Sequence, residues 1–146
     1  MKKILFIFSF LLISCSEDLS QKAKDFSQNK IIIDSHIDTP FQIWRQKNNT
    51  GASDDITKST SFHFDYPRAV EGGLNLPFFA IFIPARTEPE GTSFDLAVEL
   101  INMMNEIISN NPDKFTFIKN PSDISILEQD KNLSLIHISE PTRRWS

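Results

Sequence analysis

His36 and Asp38 stand two residues apart, and their types and spacing could do chemistry. On an extended strand, residues i and i+2 leave the same face, so an imidazole and a carboxylate would emerge together. A nitrogen donor beside an oxygen donor suits zinc or a similar divalent ion. The pair follows Ile31-Ile32-Ile33, an unbroken β-branched run of the kind expected in a parallel strand buried on both faces, and Pro40 stops it. His-x-Asp alone is a weak signal. The same residues equally suit a strand-end histidine held by its neighbours and an aspartate that forms a turn.

The two ends of the 146-residue chain are expected to lie outside the folded domain. Lys2 and Lys3 precede an apolar run, Ile4 to Ser14, of 11 residues. Such a run is too short to span a bilayer, which takes roughly 20 residues, and has the layout of a secretory signal. Leu12-Ile13-Ser14-Cys15 resembles the bacterial lipoprotein signal, whose cysteine becomes the lipid-bearing first residue of the mature chain. Cys15 is the only cysteine, so no internal disulfide can form. The resemblance implies residues 1–14 as signal peptide, lipidation at Cys15, and a protein held by its lipid in the cell envelope. Ser16 in place of Asp favours the outer membrane if the cell is Gram-negative.

At the other end, Leu133-Ser134-Leu135-Ile136-His137-Ile138-Ser139-Glu140-Pro141-Thr142-Arg143 resembles one reading frame of a transposase adapter used to prepare sequencing libraries. Residues 133–146 are therefore expected to be non-native and are set aside from the fold, although Leu133 to Ile138 alternates as a strand would. Residues 15–132 then carry 11 Lys and Arg against 18 Asp and Glu, a net charge of about −7. An acidic chain without a basic stripe argues against nucleic acid as a partner.

The elements that must position the pair are readable in order. Residues 15–30 combine a polar tether with a helix whose Leu19, Ala23 and Phe26 share one face. Phe41 to Trp44 continues as a helix, and Gln46 to Ser61, with Asn48-Asn49-Thr50-Gly51, reads as a long polar loop where binding contacts usually sit. Asp65 and Pro67 start a helix that Gly72-Gly73 ends. Asn75 to Pro84 is a second buried strand, and His63 before it reads as a solvated loop histidine rather than a ligand. Ser93 to Asn110 is a helix with Leu96, Leu100, Met103 and Ile107 as its stripe, widened by Ala97, Ile101, Met104 and Ile108. Thr92 and Asp95 have the spacing of a capping box. Lys114 to Ile118 is a short strand or extended connection, and Asn120-Pro121 opens a last helix running to about Asp130.

Helices alternating with buried strands imply a parallel sheet, either doubly wound or closed as a (β/α)8 barrel. No Gly-x-Gly-x-x-Gly follows either strand, so a dinucleotide fold has no support. Metal donors at a strand's C-terminal end favour the barrel.

Asp34-Ser35-His36-Ile37-Asp38-Thr39-Pro40, then Asp65-Tyr66-Pro67-Arg68-Ala69-Val70-Glu71-Gly72-Gly73 and an aromatic strand ending in Pro84, resemble the start of the membrane dipeptidase family. These are renal-dipeptidase-like zinc peptidases. The resemblance covers most of residues 18–132. It implies a (β/α)8 barrel carrying two zinc ions at its C-terminal face, with His36 and Asp38 binding one of them. It also implies hydrolysis of dipeptides, some with a D-residue on the C-terminal side, and is compatible with a homodimer of the full-length enzyme. Two close cations would activate water near neutral pH and polarise the peptide carbonyl. After Asn132 the family continues into a strand bearing a glutamate that bridges both metals, and later strands supply two histidines and an aspartate. Such a barrel needs at least ~250 residues. Residues 31–132 are therefore expected to be a truncated, N-terminal part of the barrel, unable to catalyse alone. The competing readings are a non-catalytic lipid-anchored binding or structural lipoprotein, in which His36 and Asp38 are incidental, and another metal-dependent barrel hydrolase. The Asp65–Gly73 motif argues against the last.

Overall fold

The computed structural model describes residues 18–120, 122, 123, 125 and 133–139, the last five of these by backbone alone. The stretch read as a signal peptide, Cys15 and most of the helix expected from Asn120 to Asp130 lie outside the described residues.

Helix α1, Leu19–Gln28, starts where the Asp18 carboxylate accepts the Ser20 N–H. None of its residues is buried, so the apolar face expected at Leu19, Ala23 and Phe26 exists but is uncovered. Strand β1, Ile32–Ile37, follows and carries the Ile run into His36. It is parallel to its neighbour, as expected, yet it is not buried on both faces: Ile33 is 53% exposed. Among the described residues β1 is at the end of the sheet, paired on one side with β2.

Helix α2 runs Thr39–Thr50, with Pro40 in its first turn and Gly51 closing it at φ 83°. It extends further than the polar composition suggests. Asn48 and Thr50 donate side-chain hydrogen bonds to the carbonyls of Trp44 and Gln46 one turn back, so residues that look like loop are satisfied within the helix. Helix α3, Tyr66–Gly72, has the expected bounds, Asp65 as N-cap and Gly73 as C-cap. Strand β2 is Leu74–Ile81 and helix α4 is Ser93–Ser109. Leu96, Leu100, Met104 and Ile108 are the buried line of α4, while Ile101 stays partly in solvent. The capping box does not form: Thr92 makes no side-chain cap bond, and its hydroxyl reaches the Thr87 carbonyl instead.

Strand β3, Phe115–Phe117, and strand β4, Leu133–Ser139, complete a four-stranded parallel sheet in the order β1-β2-β4-β3. The first half of β4 pairs with β3 and the second half with β2. Residues 133–139, which resemble adapter sequence, thus take the place between β2 and β3 in this sheet. Their alternating pattern fits a central slot, where Leu133 and Ser134 are each 1% exposed. The fit is imperfect, because the buried Ser134 hydroxyl has no partner.

The main core lies between the sheet and its helices. Phe79 meets Phe64 edge-on at 5.1 Å between ring centroids, and Tyr66 meets Phe115 at 5.5 Å. Ile43 of α2 and Met104 of α4 fill the space beside them.

Gly73 is fixed twice over. Its φ is 77°, and a Cβ there would lie 2.5 Å from the Ser27 carbonyl oxygen of α1. Gln28 donates to the carbonyls of Val70 and Glu71 alongside, so α1 docks on the end of α3 through backbone contact. Gly51 has a similar φ but open space around it. Gly51→Ala should cost about 1–2 kcal/mol of backbone strain. Gly73→Ala should cost more and release α1. Amide exchange across residues 19–28 will rise in the Gly73 variant and stay unchanged in the Gly51 variant.

Candidate metal and active site

Two opposed irregularities in the β1–β2 pairing place the candidate ligands. β2 carries an extra residue at Asn75, whose side-chain oxygen accepts the Ile32 N–H at 2.7 Å. β1 then carries an extra residue between Asp34 and Ile37, opposite Pro77 and Phe78. Pro77 has no N–H to give to the ladder, which is why proline inside a sheet is found at bulges. The bulge leaves the His36 N–H to the Asp34 carboxylate, which accepts it at 3.0 Å. Ile32↔Leu74 and Ile37↔Phe79 are each five residues apart on both strands, so the two irregularities cancel.

His36 is thus the last residue but one of β1, and Asp38 begins α2 as its N-cap residue. The Asp38 side chain makes no cap bond; its Oδ1 sits 3.2 Å from His36 Nε2. Both side chains are about half exposed, at 43% and 47%. The two side chains lie together, but not by alternation on one extended strand as expected: β1 is irregular at His36, and Asp38 belongs to the start of α2.

They face a cleft of about 410 Å³, whose other wall comes from His63, Asp65 and Arg68. Asp65 organises that wall. Its side chain is fully buried; Oδ1 accepts the Arg68 N–H at 3.0 Å, and Oδ2 accepts the Thr60 N–H at 3.0 Å and Arg68 Nε at 2.7 Å. Burial pushes the Asp65 carboxyl up, but the Arg68 and Thr60 backbone N–H groups and the guanidinium together outweigh it and hold the group below its usual range. Arg68 also donates to the Phe62 carbonyl, tying α3 to the preceding loop.

The polar loop expected to offer binding contacts spends them internally. Asp54 accepts from the Ser61 N–H and hydroxyl, and these bonds lower its carboxyl. Thr57 does the same for Asp55, which falls to about 2. His63 is exposed, as expected, though it lines the same cleft as His36. The roles of Asp34 and Arg68 were not apparent from sequence. Asp34, two residues before a strand-end histidine, is a signal that could have been read.

Among the described residues no three or more His, Cys, Asp or Glu side chains converge to hold a metal. His36 and Asp38 fit a divalent ion by chemistry and supply two donors. A catalytic zinc takes three protein ligands and one open position, so the set must be completed by other residues.

Parallel strands alternating with helices are the arrangement of the N-terminal part of a (β/α)8 barrel. The sequence matches the membrane dipeptidase family, peptidase family M19, over residues 20–140, and the chain belongs to that family. The match runs through β4 into the stretch that resembles adapter sequence. No curated protein matches the chain. Among solved structures, the metallopeptidase described as dipeptidase AC, of family M19, superposes with a TM-score of 0.62 at 19% identity. The superposition covers 77% of this chain and 37% of that one, so the chain spans little more than a third of its length.

Asp65→Ala removes the α3 cap and leaves the Thr60 and Arg68 N–H groups without their acceptor, at a cost of about 2–4 kcal/mol. Because the folded carboxyl lies below 3.8, its contribution is full above that pH and is lost as pH falls through the lowered value. The stability difference between wild type and Asp65→Asn, followed by denaturant titration, will be constant above about pH 5 and will shrink below about pH 4.

Proposed function

We propose that the gene of origin encodes a zinc-dependent dipeptidase of the membrane dipeptidase type, lipid-anchored through Cys15 to the cell envelope. We also propose that the present chain is an inactive part of it. The observation that carries this reading is the His36–Asp38 pair, 3.2 Å apart at the C-terminal end of β1, in a chain that belongs to a metallopeptidase family.

His36 and Asp38 would hold one of two zinc ions. When bound, the metal pair would supply a Lewis acid for the peptide carbonyl and a water acidic enough to attack near neutral pH. The chain's own residues prepare the place. Asp34 holds the His36 backbone, which fixes where the ring leaves the strand. Asp38 keeps its carboxylate out of the helix cap and beside the imidazole. Asp65 and Arg68 hold the opposite wall, and a cleft of this size would admit a short peptide.

The second reading is a non-catalytic lipid-anchored lipoprotein. It is favoured by the observation that two donors, and no third, converge among the described residues. The chain by itself should therefore show no dipeptide cleavage.

The separating experiment uses the full reading frame, expressed and loaded with zinc. Dipeptide hydrolysis should be present. His36→Ala and Asp38→Ala should each lower kcat/KM by more than about 100-fold, the upper end of what losing an outer-shell partner costs. Each variant should also retain less zinc. Full activity in either variant would remove the pair from the site, and no dipeptide cleavage by the full-length protein would favour the lipoprotein.

A further inference from the structure

Leu19 and Phe26 are 77% and 64% exposed, although Phe is among the costliest side chains to leave in water. With the exposed Ala23 they form one stripe along α1, because positions four and seven residues apart share a helix face. The C-terminal end of the helix is occupied elsewhere: the Ser27 backbone lies on Gly73, and Gln28 reaches the carbonyls of Val70 and Glu71. α1 is therefore docked with its apolar stripe facing away from the sheet.

Only Ser16, Glu17 and Asp18 separate Cys15 from Leu19. Four extended residues reach at most about 14 Å. If Cys15 carries lipid, Leu19 cannot be further than that from the bilayer that receives it. Glu17, Asp18 and Asp25 balance Lys22, Lys24 and Lys30 between residues 15 and 30, so charge neither attracts this segment to an anionic surface nor repels it.

We propose that α1 is an interfacial helix, with Leu19, Ala23 and Phe26 set into the headgroup boundary of the bilayer that anchors Cys15. The inference rests on the lipid-anchor reading and adds an orientation to it. α1 precedes the N-terminal end of β1, and His36 lies near the other end of that strand, about 13 Å along it. All four strands are parallel, so their C-terminal ends point the same way. A bilayer under α1 places the His36–Asp38 end of the cleft on the side away from lipid.

The test uses the full-length gene product in membranes, where lipidation blocks the Cys15 thiol. Ala23→Cys, on the stripe, and Lys24→Cys, on the far side of the helix, are each labelled with an environment-sensitive fluorophore. A lipid-borne nitroxide should quench the label at position 23 at least about threefold more than the label at 24, and aqueous iodide should do the reverse. Equal quenching at both positions, in a chain that sediments with membranes, overturns the inference and leaves the anchor standing. A label at 23 shielded from both quenchers does likewise and places protein on the stripe. A chain that stays soluble with Cys15 intact overturns the anchor and the inference together.

Discussion

An irregularity in the first parallel strand governs the site. Asp34 pairs with Pro77, and β1 then carries one extra residue across from Phe78. The bulge frees the His36 N–H from the sheet, and Asp34 takes it. From that arrangement follow the direction of the His36 ring, the start of α2 directly afterwards, and the position of Asp38 beside the ring. The compensating irregularity at Asn75 restores the register, so the bulge re-aims one residue without displacing the rest of the strand from the core.

The opposite wall depends on a buried charge. Asp65 sits among apolar neighbours, and its ionised form persists because three N–H donors converge on it. Removing one partner of such a set leaves the other buried and unpaired, so the set acts as a unit. It fixes the loop before α3 against the helix itself and keeps Arg68 at the cleft. The polar residues between Gly51 and Phe64 serve the same end, bonding to one another rather than presenting themselves to a ligand.

Much of this is legible in the amino-acid order, because several signals are local. Asp65, Pro67 and Gly73 mark both ends of α3, and the stripe read for α4 holds at Leu96 and Leu100 but is buried one position further on, at Met104 and Ile108 rather than Met103 and Ile107. The nearness of His36 and Asp38 is suggested by their spacing, but it is produced by the bulge in β1 and the start of α2 rather than by strand alternation. What was missed depends on neighbours distant in sequence. The Ile31–Ile33 run looks like a buried strand, yet among the described residues β1 is at the sheet's end, and burial is set by what lies alongside. Thr92 has a capping spacing, but its hydroxyl finds Thr87 instead. Asn48 and Thr50 look like loop and are held in α2 by bonds one turn back. Residues 133–139, which resemble adapter sequence, lie between β2 and β3 and leave the buried Ser134 hydroxyl without a partner there.

The central claim is that His36 and Asp38 are two members of a larger metal-binding set whose other members are encoded beyond residue 132. A long-read sequence of the source gene across codon 132 tests it most directly. The account predicts a frame that continues from Asn132 into a strand bearing a glutamate, with histidines following further on, and without the codons for Leu133 to Ser146. A gene that encodes Leu133 to Ser146 as written and then stops would contradict it, and the chain would be a lipoprotein with an incomplete metal site.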